Sequence, residues 1–182
     1  MKNFGLWMGL MIFWVAGAGC KGQPSSDAVV GDGQAPAQVL THFRMQDIRA
    51  GTKYVQVESE EGHLMEAPPI AKLNRPLVTF YKRGAVSSTL KAPQGQVQMD
   101  THEISAWGGV VVVTPDSSTL TTDRLRYDPQ RRKLLSEDVI HLEKPDSVTE
   151  GQGLEAEPDL SRVKMGHEKV RLKNLHGPKA VT

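Results

Sequence analysis

From Val39 onward the chain follows a two-residue apolar–polar period, interrupted every few residues by turn chemistry, and this pattern restricts it to short extended strands. In "KYVQVESE", Tyr54 and Gln56 fall on one face and Val55 and Val57 on the other. In "GQVQMDT", Val97 and Met99 alternate with Gln96, Gln98 and Asp100; in "DRLRYD", Leu125 and Tyr127 alternate with Arg124 and Arg126. "LVTFYKR" follows the break at Asn74-Arg75-Pro76. "EISAWGGVVVVT" sets Ile104 ahead of Gly108-Gly109, a pair expected to bend or bulge a strand, and then four valines. "KLLSEDVIHLEK" puts Leu135 and Val139 on one face, and "VKMGHEKVRLKN" offers Val163, Met165, Val170 and Leu172. "VLTHFRMQDI" reads as a first strand, with a short helix as the alternative. No stretch of eleven or more residues carries a convincing helical period, so the body is expected to be all-β.

The pattern also repeats. Leu90, Leu120 and Leu154 each follow a turn and open a unit of two strands, at spacings of about 30 residues, within the range of internal repeats. Asp128-Pro129 and Pro158-Asp159 supply turn residues. One hairpin cannot bury its apolar face alone, whereas stacked hairpins share a continuous one.

The first twenty residues differ in kind. "MKNFGLWMGLMIFWVAGAGC" has a basic start at Lys2, an uncharged apolar run from Phe4 to Gly19 and small residues before Cys20, the only cysteine. This is the shape of a secretory signal. It resembles a lipoprotein signal in which Cys20 is lipidated; the alternative is an uncleaved anchor helix ending near Gly19. Either would tether the body to a membrane, facing an extracytoplasmic space. Residues 21–38, rich in Gly, Pro and Ser, read as a flexible tether, residues 39–175 as the β domain and residues 176–182 as a tail.

Catalytic signatures are missing from the sequence. There is no nucleophile elbow, phosphate-binding glycine loop or His-Glu-x-x-His zinc pattern. His102-Glu103 and His167-Glu168 are adjacent pairs that point to opposite faces of a strand, and both are expected at polar turn ends. Lys plus Arg total 22 against 21 acidic residues, and the basic cluster Arg131–Lys133 reads as a hairpin tip without a matching basic stripe, so nucleic acid is not an expected partner. Four of the aromatic rings lie in the first 14 residues, leaving the β body mainly Val, Leu, Met and Ile for its apolar face. In an open sheet that face would form a trough for hydrocarbon chains; in a closed sandwich it would be ordinary core.

The phrases Leu120-x-Thr122-x-x-Leu125-x-Tyr127-Asp128, then Leu135-Ser136-x-Asp138-Val139, then Gly151-x-Gly153-Leu154 with Pro158-Asp159, resemble the LptC component of lipopolysaccharide export, in the OstA-like family that also includes LptA. The resemblance covers Thr52 to Leu175. It implies a twisted, half-open antiparallel β-jelly roll that carries lipopolysaccharide, with acyl chains in the trough. It also implies an inner-membrane ABC transporter (LptB/LptF/LptG-like) as donor and an LptA-like protein as acceptor, met by edge-strand pairing. No cofactor and no catalysis follow from it. The residues expected to line the trough are Val97, Met99, Ile104, Leu125, Tyr127, Val139, Leu154, Val163 and Met165. The resemblance points to the periplasmic side of the inner membrane, whereas Lys21 after the cysteine points to the outer membrane by the enteric sorting rule. A scaffold lipoprotein of the cell envelope, with a closed sandwich, is the alternative from another class.

Overall fold

The structure, a computed structural model, describes residues 38–172; Cys20, the signal or anchor, nearly all of the tether and the tail lie outside the described residues. The described chain is antiparallel β throughout, including the segment from Val39 that also allowed a helix. Its strands are β1 (Gln38–Arg49), β2 (Thr52–Met65), β3 (Ile70–Asn74), β4 (Leu77–Lys82), β5 (Ala85–Lys91) and β6 (Gln94–Gln98). They continue as β7 (Ile104–Val113), β8 (Thr119–Asp128), β9 (Lys133–Glu143), β10 (Ser147–Ala156) and β11 (Val163–Leu172).

Two pairs of strands are single rows with an interruption. β3 and β4 pair with β2 in one register, Glu61 opposite Asn74 and Glu58 opposite Leu77, with Arg75-Pro76 between them. β6 and β5 pair with that row, Asn74 opposite Gln94 and Leu77 opposite Lys91, with Ala92-Pro93 between them. The sheet is therefore a plain meander in which every row lies beside the next in sequence, as short connections favour. β1 and β11 each pair on one side only, so the roll is not closed by hydrogen bonds among the described residues.

The interruptions line up across the rows. Arg75-Pro76 lies level with Pro93, whose carbonyl accepts from the Arg75 N–H at 2.9 Å. Next to Pro93 comes the Gly108-Gly109 pair, where the β7–β8 register slips between Trp107 and Val110, as the glycines led one to expect. The slip recurs in β8–β9 between Thr122 and Arg126 and in β9–β10 between Gln152 and Leu154. Positive φ at mid-row positions follows the same line: His42 (57°), Arg75 (50°), Gly108 (87°), Gly109 (97°), Gly153 (77°) and His167 (50°). The remaining positive-φ residues, such as Arg83, His102 and Arg132, sit in turns. A crease thus runs across the strands.

At the crease the ladder loses backbone partners, and side-chain hydroxyls replace them. Ser59 Oγ lies 2.7 Å from the carbonyls of both Glu61 and Asn74. Thr122 Oγ1 donates to the Val139 carbonyl at 3.0 Å, and Ser136 Oγ accepts from the Asp138 N–H at 3.1 Å. In most rows an extra residue there also switches which parity points inward. Ala71 and Leu73 are buried before it and Val78 and Phe80 after it; in β8 the pairs are Leu120 with Thr122, then Leu125 with Tyr127.

The crease folds the sheet into two layers. Phe80 and Tyr127 stand three rows apart, which in a flat sheet means about 14 Å, yet their ring centroids are 5.0 Å apart in an edge-on contact at 61°. Arg132 lies 5.4 Å from the Tyr54 ring, and Lys82 pairs with Asp159 and Glu157. Each contact joins a half-row on one side of the crease to a half-row on the other. The spacing of about 30 residues between the leucines corresponds to two rows of this meander. Leu90 and Leu120 are equivalent, since each pairs with Val112, but Leu154 lies across the crease.

Gly109→Ala should lower unfolding stability by about 1–2 kcal/mol through backbone strain alone, because no atom lies within 4 Å of the added Cβ. Urea denaturation measures it, and an unchanged midpoint would mean that the crease does not demand its positive φ.

Candidate functional site

The candidate site is the space between the two layers and the opening opposite the crease. Sheet pairing decides which residues face inward, because directly opposed residues share a face. Leu120 opposes Leu142 and Tyr127 opposes Leu134, so β9 turns Leu134, Ile140 and Leu142 inward. Of the residues expected to line the interior, Val97, Ile104, Leu125, Tyr127 and Leu154 are buried in one shared cluster, and Met99, Val163 and Met165 pack half-buried against it. Val139 is corrected: it lies on the outer surface, 56% exposed, beside the inward Ile140. Leu134-Leu135 can be read in either phase from sequence, and only the β8 register settles it. Leu172 and Val170 are likewise exposed.

Sequence reasoning missed much of the interior, notably Val57, Val78, Phe80, Leu90, Val112 and Leu120, all at most 2% exposed. Strict alternation restarted at each Pro, Gly-Gly or Asp break would have found them. Residues of both layers belong to this one buried cluster. Ser88 interrupts the apolar surface: its hydroxyl is wholly buried, opposite Phe80, with no hydrogen-bond partner. Such a group costs about 1–3 kcal/mol of desolvation.

At the opening the packing ends in a cavity of about 570 Å³. Its walls come from both layers: Tyr54, Phe80, Tyr81 and Lys82 on one, Tyr127, Arg131, Arg132 and the Glu157–Arg162 turn on the other. The Asp128 carboxylate accepts from the N–H groups of Gln130 and Arg131 at 2.9 and 3.0 Å, which shapes the β8–β9 turn. Asp159 does the same for Ser161 at 3.1 Å. The cluster Arg131–Lys133, expected as a plain hairpin tip, is part of this cavity wall.

Electrostatics tie the lips together. Burial opposes charge on Glu157 and Asp159. Hydrogen bonds from Arg162 and Ser161 to Glu157, and from Lys82 and Ser161 to Asp159, outweigh it and hold both carboxyls below their ordinary range. Arg162 lies 2.5 Å from Glu157, and Lys82 is raised by its hydrogen bond to Asp159. Tyr127 is pushed up to about 12 by burial, with the Asp47 charge adding to it, so its phenol stays neutral. His102 is in the β6–β7 turn as expected, but His167 sits inside β11 at the crease. Among the described residues no three His, Cys, Asp or Glu side chains are grouped to hold a metal, and no helix is long and apolar enough to cross a membrane.

An antiparallel meander creased into two layers around an apolar interior, whose end strands pair on one side only among the described residues, defines a half-open β-jelly roll. Residues 8–172 match the family described as Lipopolysaccharide-assembly, LptC-related, and the chain belongs to that family, as the phrases between Leu120 and Asp159 implied. The fold is similar to that of LptH from Pseudomonas aeruginosa, the LptA homologous periplasmic component of the conserved lipopolysaccharide transport device. The match has a TM-score of 0.50 and 12% identity over 65% of this chain and 93% of that one. No curated protein sequence matches the chain significantly.

Leu120→Ala should cost about 2–5 kcal/mol, while Val139→Ala should stay within about 0.5 kcal/mol and Ser88→Ala should leave stability unchanged or higher. Equal losses for Leu120 and Val139 in chemical denaturation would contradict the assignment of faces. The Glu157 and Asp159 carboxyls titrate lower in the fold than in the unfolded chain. Their stabilisation is therefore complete above about pH 4, the unfolded value, and is lost as pH falls through the folded values. Asp159→Asn should flatten that acid limb in a series of Tm against pH.

Proposed function

We propose that this chain is a membrane-tethered lipid carrier in lipopolysaccharide export, whose interlayer interior takes the acyl chains. The observation that carries this reading is the continuous apolar interior between two layers that, among the described residues, share backbone hydrogen bonds only through the crease. Acyl chains entering there would replace layer-on-layer contacts by layer-on-lipid contacts. Apolar area worth about 25 cal/mol per Å² is then exchanged rather than lost, so opening the interior is affordable only when lipid fills it. Val97, Met99, Ile104, Leu125, Tyr127, Leu154, Val163 and Met165 are the proposed contact residues; the outward Val139 is not.

The remaining roles follow from the family and the edges. The family match begins at residue 8, inside the apolar run Phe4–Gly19, which supports a membrane attachment as part of the pattern, through a lipid on Cys20 or an uncleaved helix. The chain would receive lipopolysaccharide from an inner-membrane ABC transporter of the LptB/LptF/LptG kind, on the periplasmic side. It would pass it to an LptA-like protein through β1 or β11, which pair on one side only among the described residues. This transfer breaks no covalent bond, so it needs neither catalytic residues nor a cofactor. The tight packing of the interior favours a second reading, a scaffold protein of the envelope whose sandwich never opens.

A photoreactive residue at Met99, Tyr127 or Met165, irradiated in intact cells, should yield lipopolysaccharide adducts, and the same residue at Gln98, Arg126 or Val139 should not. Adducts at none of the inner sites, in protein shown to be folded, would leave the scaffold as the better account.

A further inference from the structure

The cavity at the lips has a composition that an apolar carrier does not need. Three separate turn regions, from both layers, bring Lys82, Arg83, Arg131, Arg132, Lys133 and Arg162 to its wall, against the carboxylates of Glu157 and Asp159 and that of Glu155, which pairs with Arg131 at 3.0 Å. The whole chain has a formal charge of only +1, so this is a local concentration. Arg83 and Arg132 have no carboxylate within ion-pair distance among the described residues; Arg132 instead stacks over Tyr54. Gathering like charges costs free energy unless an anion balances them. Below the cations come the rings of Tyr54 and Tyr81, then Phe80 and Tyr127, which are also members of the apolar cluster. Charge, then ring, then aliphatic surface follow one another from solvent inward.

We propose that this cavity is a phosphate site for the headgroup of a multi-acyl amphiphile whose chains enter the interior, an inference that rests on the carrier reading above. The arginine forks suit phosphate oxygens, which accept charge-assisted hydrogen bonds. A bound phosphate also competes with Asp159 and Glu157 for Lys82, the cation whose ion pairs join the two lips. Arrival of the headgroup thereby loosens the closure over the interior.

The test uses the full-length chain kept soluble in amphipol, with lipid A, the same lipid stripped of its phosphates, and inorganic pyrophosphate as probes. The wild type should bind phosphorylated lipid A roughly tenfold more tightly than the stripped lipid, the scale of one charge-assisted contact. The triple variant Arg83→Gln, Arg131→Gln, Arg132→Gln should lose that preference while keeping its affinity for the stripped lipid. A charge-matched control, Arg44→Gln, Arg124→Gln, Arg126→Gln, should retain the preference. Equal affinity for the two lipids in the wild type, or a preference that survives in the triple variant, overturns the phosphate site and leaves the carrier reading standing. If neither lipid binds, the carrier reading fails, and pyrophosphate decides the site: shifts in the amide signals of Arg83, Arg132 and Asp159 that vanish in the triple variant establish it for free phosphate, and their absence overturns it.

Discussion

A sheet with one apolar face must cover that face, and this chain does so by folding its sheet across the strands. In a sandwich of two separate sheets, connections between strands carry the chain from layer to layer. Here each row crosses from one layer to the other along its own length, at the crease. Every inward contact between layers, including the Phe80–Tyr127 ring pair, depends on that bend. The interior exists because the crease exists.

The crease has a chemical cost that the sequence visibly meets. Bending a strand out of the extended region needs glycine, proline or a residue forced to positive φ, and Pro76, Pro93, Gly108, Gly109 and Gly153 supply the first two kinds. His42, Arg75 and His167 supply the third, with some strain each. Hydrogen bonds lost from the ladder are remade by Ser59, Thr122 and Ser136, which explains hydroxyls in an otherwise apolar setting. Among the described residues the backbone bonds between layers run through this line, and the opposite lips are held by side chains: aliphatic packing, the Phe80–Tyr127 ring pair, Arg132 over Tyr54 and the ion pairs of Lys82 with Glu157 and Asp159. The crease is thus held by backbone bonds and the closure opposite it by side-chain contacts.

Much of this was legible in the residues. Period-two alternation identified strands such as β6 and β8, with Val97 and Tyr127 on their inner faces, because an extended chain has no other way to segregate polar from apolar side chains. The Gly108-Gly109 bulge was also readable, since few other sequences tolerate that backbone. The LptC-type phrases from Leu120 to Asp159 carried the family before any fold was known.

What the residues could not decide is phase. A strand read one residue out of phase presents its other face, and in β9 the consecutive Leu134-Leu135 leaves both phases open; Leu134, Ile140 and Leu142 turn inward and Val139 outward. The direction of Val139 was set by hydrogen-bond pairing with β8, a partner known only once the sheet is assembled. The basic cavity has the same origin: Lys82, Arg131 and Arg162 are far apart in sequence and ordinary in isolation, and only the creased sheet brings their turns to one opening. The sequence by itself therefore determined strand content, family and the composition of the inner face. The tertiary structure alone decided the phase of each strand and the meeting of the two layers, since both depend on contacts between rows that no local pattern encodes.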